Sequence, residues 1–508
     1  MSPNLLPNHR EISVIAKGAS IVFVGTIIGT ALRYIFELLV ARNLKPELFG
    51  VFFLGFTIFK ILERITTVGL NNGVLRYVAI FKGMGDESRI KGTILLSLRI
   101  VFGVGAVISF LTIIFSHKIS LSLFNEANLA PVLKIFALGI IFTALTEILI
   151  FSIQAFQIMK YKVLVRMILE PGTMILFVLL FFFIGLKLKA ALFAHLLSLI
   201  LGTILAFNFL KKVFPLIRNK IRPIFEIKEL ILFSWPLFFT GFLDLFIVQI
   251  NTLMLGYYKT SQEVGIYGAA QRTAFLIPIV LNSFNAIFAP MIADFYHRKE
   301  IEKLEDLFKT VTKWIFTISL LIFLITVILA KDILSLWGEK YKEGALCLII
   351  ICCSQLINCA TGSVGFVIMM TGRTIINLIN NLAVFSIIAL LNFHFIPELG
   401  ILGAALSLGI AISIINIIRL IEVYAILKIH PYKIDFYKPI LAGIGATFSL
   451  LAFNHFLNLS IADLLPRLFV SSLFIVVLYL TILFSLGMDE REKVILNKIL
   501  NKVIKLSP

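Results

Sequence analysis

Apolar stretches of bilayer length recur along the whole chain, separated by short polar connectors. A helix that crosses the hydrocarbon core needs about 20 mostly apolar residues, and about fourteen segments qualify at that length. They fall roughly at 18 to 41, 48 to 70, 93 to 116, 131 to 157, 162 to 185, 190 to 210, 231 to 256, 264 to 290, 310 to 330, 344 to 370, 374 to 396, 398 to 426, 439 to 457 and 467 to 487. The expected fold is an all-α polytopic membrane protein.

An even number of crossings puts both termini on one side. Connectors on that side carry about three times as many Lys and Arg as the opposite ones, so both termini are expected in the cytoplasm. The most basic connector, Lys211 to Leu230, lies near the middle and reads as a linker between two halves that look like copies. After the first crossing comes ARNLKPELFGVF, Ala41 to Phe52; after the seventh comes GYYKTSQEVGIYG, Gly256 to Gly268. An offset of 215 residues lays Gly50-Val51-Phe52 on Gly265-Ile266-Tyr267. Six helices per half in one orientation form a parallel repeat, with two bundles facing each other across an axis along the membrane normal and a central cavity between them. The expected organisation is an N-terminal lobe over 1–212, a basic cytoplasmic linker over 213–230 and a C-terminal lobe over 231–428. Two added helices at 429–488 and a cytoplasmic tail at 489–508 complete it.

Composition closes off other classes. Hydrophobic residues make up 59% and charged residues 15%, Phe occurs 48 times, and mean hydropathy is +1.02, too little polar surface for a soluble body of this size. The formal charge of +18 is distributed as connector bias, which favours a membrane surface over nucleic acid. Cys347, Cys352, Cys353 and Cys359 share one apolar run without metal-site spacing and read as small buried hydrophobes. The first apolar run is too long for a cleavable signal and is expected to act as its own anchor. Nucleotide-binding loops, HExxH and GxSxG are missing, so the chain reads as neither an ATP-driven pump nor an enzyme, and no cofactor or metal is expected.

An ionisable side chain inside a membrane helix costs at least a few kcal/mol, about 2.5 to 3.5 on insertion scales, so each is a functional candidate. Arg33 and Glu37 lie four apart on the first helix and can pair. Lys60, Glu63 and Arg64 share a face of the second helix with one charge of net positive sign. Arg33, Lys60, Arg64 and Arg272 are the candidates for a cationic substrate-binding cavity, since guanidinium and ammonium groups in low dielectric suit a phosphate. Glu37, Glu63, Glu147, Asp244 and Arg76 are candidates for coupling or gating, with protons or sodium as the coupling ions. Internal salt bridges and helix-to-helix hydrogen bonds compete with each of these readings. Arg99, Lys134, Arg166, Arg419 and Glu422 lie near predicted helix ends and are expected to snorkel to the headgroups. His195 reads as a packed, neutral imidazole. Gly25 and Gly29 form a small-residue pair for close packing, and Pro171, Pro236 and Pro278 interrupt helical ladders.

Three segments carry a family likeness: LLVARNLKPELFGVFFL from Leu38, GLNNGVLRYVAIFKG from Gly69, and EVGIYGAAQRTAFL from Glu263. With the overall layout, they resemble the polysaccharide exporters and lipid-linked oligosaccharide flippases of the multidrug/oligosaccharidyl-lipid/polysaccharide superfamily. The resemblance implies carriage of a polyprenyl-(pyro)phosphate-linked sugar unit across the cell membrane by alternating access. It also implies partner glycosyltransferases or a glycan polymerase. Arg76 and Arg272 match motif arginines; Arg33, Lys60 and Arg64 do not. Two alternatives stay open at this point: a multidrug or cation antiporter of the same superfamily, and a membrane-embedded glycan polymerase or ligase.

Overall fold

A computed structural model describes residues 9–216, 221–457 and 463–487, with side chains described at 21–216, 221–285, 287–450 and 463–487. The described residues are helices and connecting turns, without strands. In chain order they are α1 His9–Thr67, α2 Leu70–Met84, α3 Glu87–Lys118, α4 Leu129–Ala155, α5 Lys160–Phe183 and α6 Lys187–Val213. There follow α7 Ile227–Tyr258, α8 Ser261–Ala274, α9 Ile279–His297, α10 Ile301–Ile328, α11 Glu339–Ala360 and α12 Val364–Met370. The last four are α13 Thr374–Leu399, α14 Ile401–Leu427, α15 Tyr437–Leu457 and α16 Leu464–Ser485. The chain is a multi-pass membrane protein.

Helix α1 has 59 residues. A straight helix of that length would span roughly 90 Å, three times the hydrocarbon core. It does not run straight, because Lys45 leaves the helical region at φ 64° just before Pro46, where a proline ring disfavours the α conformation of its predecessor. The rings of Phe36 and Phe52, on either side of this break, lie 6.3 Å apart, so the two arms fold back on each other. Similar breaks change the expected count. By length and apolarity, 11 helices among the described residues can cross a membrane, or 12 if the pair α8 and Ile279–Asn285, bent by 49°, is one span. Fourteen crossings are not reached on this measure, because the first two merge into Ile21–Met84 and the eighth breaks before Pro278. The thirteenth expected crossing falls on α15, and the tenth is interrupted at Gly362, φ 69°.

The two related connectors meet each other. A Cβ on Gly50 would lie 1.7 Å from the carbonyl oxygen of Ser261, and one on Gly265 would lie 2.2 Å from that of Pro46. The offset of 215 residues turns Pro46 into Ser261 and Gly50 into Gly265, so each contact is the image of the other. Reciprocity of this kind is the mark of a two-fold relation at the crossing point. The absence of side chains on both glycines lets the backbones touch. Around the crossing, Phe49, Phe53, Tyr267, Trp337 and Tyr341 are buried in one core that draws on both halves of the chain.

Between α6 and α7 the basic connector is docked on the start of α3. Ile224 donates its N–H to the Ser88 carbonyl at 3.1 Å, Lys91 reaches the carbonyl of Ile221 at 3.0 Å, and Arg89 pairs with Glu226 at 3.0 Å. Gly25 and Gly29 do pack closely: a Cβ on Gly29 would sit 2.8 Å from the Met167 carbonyl of α5. Cys347, Cys352 and Cys359 are buried, but Cys353 is exposed, on the outer face of α11 rather than in the core.

Candidate functional site

Two cavities within the bundle are lined by polar side chains and share α7 as a wall. The first, of about 250 Å³, is lined by Lys60, Glu63, Arg64 and Asn71 on α1 and α2, by Glu147 on α4, and by Gly241 and Leu245 on α7. Lys60 donates to Glu63 at 2.8 Å, and Thr143 donates to the other Glu63 oxygen at 3.2 Å. Glu147 is held at 2.6 Å by Arg166, which also binds Glu170 at 2.8 Å and the Thr143 carbonyl at 3.1 Å. Arg166 is therefore buried between two carboxylates, and the snorkelling expected of it from its position near a helix start is corrected. Lys134 and Arg99 remain exposed, Arg99 over the ring of Phe225.

Arg33 and Glu37 share a face of α1 but do not pair. Over Val163–Leu169 the backbone of α5 widens to a π-helix, and the Glu170 N–H bonds the carbonyl of Val165. In that pattern the Arg166 carbonyl would wait for residue 171, which is proline and has no N–H. Arg33 fills the gap, donating to the Arg166 carbonyl at 3.0 Å. Glu37 instead meets Arg272 of α8 at 3.0 Å, an ion pair that ties the two halves of the chain together. Arg272 also lies over the rings of Phe53 and Phe56. This corrects the expected pairing and places two of the four cationic candidates in structural contacts.

Arg64 stands apart. Its guanidinium lies against Gly241, where a Cβ would be 1.7 Å away, and it makes no ion pair or side-chain hydrogen bond among the described residues. In the lining Lys60 and Arg64 offset Glu63 and Glu147, and Arg166 is shared between Glu147 and Glu170, so Arg64 is distinguished by the lack of an ion-pair partner and not by a surplus of charge. Arg76 lies outside, exposed on α2, with its guanidinium 4.3 Å from the ring centre of Phe233 on α7, another contact across the halves. His195 is buried edge-on among the rings of Phe56, Phe59 and Phe136.

The second cavity, of about 400 Å³, lies within the C-terminal half and is rich in amides: Asn282 and Asn285 on α9, Asn358 on α11, Asn377 and Asn381 on α13, and Asn416 on α14. Asp244 of α7 and Arg419 of α14 are its charged members. Arg419 donates to the Asn381 carbonyl at 2.8 Å, and Asn381 donates to Asp244 at 2.6 Å, a fixed rail along one wall. Arg419 was expected at the headgroups; its bond to Asn381 holds it inside, and Glu422 likewise accepts from Asn380 at 2.7 Å. Asn282 and Asn285 stand out in the sequence as polar groups of the eighth expected crossing, whereas Asn358, Asn377, Asn381 and Asn416 do not, because single amides in apolar runs read as packing hydrogen bonds.

The comparisons with known proteins agree with this architecture. Residues 15–296, more than half the chain, match the family model described as polysaccharide biosynthesis protein, and residues 236–394 match that described as MatE. The capsular polysaccharide biosynthesis protein CapF of Staphylococcus aureus is 27% identical over 208 residues, which cover 40% of this chain and 50% of CapF. The chain thus spans about half the length of the curated relative it matches. Among solved structures, the lipid II flippase MurJ in an inward closed conformation superposes with a TM-score of 0.68 at 16% identity, over 91% of this chain and 98% of that one. An inward-facing multidrug resistance MATE family transporter of the MOP superfamily gives 0.67 at 16% identity, over 78% and 94%. At these identities the likeness is one of fold.

Proposed function

This chain belongs to the polysaccharide biosynthesis protein family, and we propose that it is a flippase for a polyprenyl-(pyro)phosphate-linked oligosaccharide. In this reading its two halves carry the unit from the cytoplasmic to the outer leaflet by alternating access, for assembly of a cell-surface glycan. With both termini in the cytoplasm, the crossing of Gly50 and Gly265 seals the outer end. Lys60 and Arg64 lie ten and fourteen residues further along the second arm of α1, roughly 15 to 21 Å towards the cytoplasm. The observation that carries the reading is Arg64: a guanidinium in a partly dehydrated cavity, without a carboxylate partner, suits a phosphate oxygen. A cation antiporter would need the reverse, a carboxylate left free. Glu37, Glu63, Glu147 and Glu170 each meet a base, Glu147 and Glu170 sharing Arg166, which disfavours that alternative at the Arg64 cavity; Asp244 of the second cavity, bonded to Asn381 and to no base among the described residues, is the carboxylate that a cation antiporter would use. The driving gradient, proton or sodium, is read out by the same experiment.

The test is leaflet exchange of a fluorescent polyprenyl-pyrophosphate oligosaccharide in liposomes holding the purified protein, under imposed proton and sodium gradients. Exchange is expected for the native chain and lost both in Lys60→Ala/Arg64→Ala and in Arg64→Ala alone, which breaks no ion pair and leaves the melting temperature unchanged. No exchange by the native chain under either gradient sinks the proposal. Incorporation of the sugar into product would point to the polymerase or ligase instead.

A further inference from the structure

We infer that the amide-lined cavity of the C-terminal half is the glycan subsite, taking neutral sugar rings while the Arg64 cavity across α7 takes the phosphate. The inference rests on the flippase reading and names which part of the substrate lies where. Its volume of about 400 Å³ falls within the roughly 300 to 1,000 Å³ of small-molecule pockets. Its chemistry is that of a polyol. A sugar hydroxyl both donates and accepts, and a primary amide offers two donors and a carbonyl acceptor, so asparagine meets hydroxyls in either sense. A phosphate would find one base here, Arg419, already committed to Asn381.

The asparagines are not equivalent, and their differences make the cavity specific. Asn381 is spent in the rail from Arg419 to Asp244, and Asn416 bonds the Ile412 carbonyl of its own helix at 2.8 Å. Asn282 is exposed to the cavity and makes no side-chain hydrogen bond among the described residues. Asn377 accepts only a long bond of 3.4 Å from Arg419, which leaves its NH₂ group unused. Asp244 spends one carboxylate oxygen on Asn381 and keeps the other. Phe366 adds an aromatic wall on which the apolar face of a pyranose can rest. The rail holds the acceptors in place before the ligand arrives, so little ordering is left to be done on binding.

The two cavities are adjacent. On α7, Gly241 and Leu245 line the charged one while Asp244 and Ile247 line the amide one. A headgroup whose phosphate and first sugars are joined by covalent bonds can lie over this helix and engage both.

Two lipids decide the matter: the polyprenyl-linked oligosaccharide pool extracted from cells that express the protein, and the same pool after mild acid has removed the glycan. Affinity of the purified protein for each is measured in nanodiscs. The native chain is expected to prefer the glycan-bearing lipid by about tenfold or more, the worth of one or two added hydrogen bonds. Asn282→Leu and Asn377→Leu are expected to abolish that preference while leaving affinity for the deglycosylated lipid and the melting temperature as they are. The Asn282 side chain makes no hydrogen bond among the described residues, so its replacement tests binding without unfolding the cavity. Equal weakening of both lipids, or an undiminished preference, overturns the glycan subsite. The separate outcome in which Lys60→Ala/Arg64→Ala binds the deglycosylated lipid as well as the native chain does overturns the anionic-lipid reading beneath it.

Discussion

Whether a buried charge serves ligand or scaffold depends on what its atoms touch, and Arg33 is the sharpest case. Depth and face made it a substrate candidate as good as Arg64, yet it completes the backbone of α5 where a π-helix runs into Pro171. Replacing it leaves a buried carbonyl without a donor, which costs about 1 to 3 kcal/mol. Arg33→Ala is therefore expected to lower the melting temperature and leave lipid affinity unchanged, the opposite of Arg64→Ala. The double variant Arg33→Ala/Pro171→Ala supplies an N–H from residue 171 and is expected to recover part of the loss. Strict additivity of the two stability changes, measured in a thermal double-mutant cycle, would sink this account. The sequence could not separate Arg33 from Arg64 because the missing donor belongs to another helix, 138 residues away. Arg166 was misjudged for a related reason. A basic residue near a helix start normally reaches for headgroups, but here Glu147 and Glu170 form a site that holds it inside.

At the scale of elements, apolar run length and period predict most of the helices but not fourteen separate crossings, and the connectors related by the 215-residue offset prove to touch, which the offset alone does not predict. Breaks were harder to read: Lys45-Pro46 and Phe275-Pro278 show in the sequence as proline, but whether a proline bends, breaks or merely starts a helix is decided by packing. Pro236 stays within α7. The glycines at the crossing give a prediction of their own. Gly50→Ala places a methyl group against the Ser261 backbone, and Gly265→Ala places one against that of Pro46. Overpacking of this kind typically costs about 1 to 3 kcal/mol. Since the contacts are images of each other, the two variants are expected to lower the melting temperature to a similar degree. A large effect from one and none from the other would mean the reciprocity has no energetic content.

If the proposed alternating access holds, the question for the whole molecule is what must separate for the end closed by the glycine crossing to open. Besides the glycine crossing, that end is held by the first turn of α11 and the turn before it. Trp337 donates its indole N–H to Tyr34 at 3.1 Å, Tyr341 donates to the Ala41 carbonyl at 3.3 Å, and Lys340 pairs with Glu47 at 2.9 Å. Each bond joins a residue of the C-terminal half to α1, so none can persist if the halves part there. The Lys340 pair is exposed and worth at most about 1 kcal/mol, which makes it a convenient site for a covalent tie rather than a lock in itself. With Cys353 replaced by serine to remove the exposed native thiol, Glu47→Cys/Lys340→Cys can be joined by a bifunctional thiol reagent with a cleavable disulfide spacer. Alternating access requires the tied protein to bind the polyprenyl-linked glycan with native affinity and to flip none of it, with exchange restored once the spacer is reduced. Full exchange by the tied protein would mean that the substrate passes without this end opening. The asymmetry of the two cavities, charged on one side of α7 and amide-rich on the other, would then serve a path along the surface of the bundle.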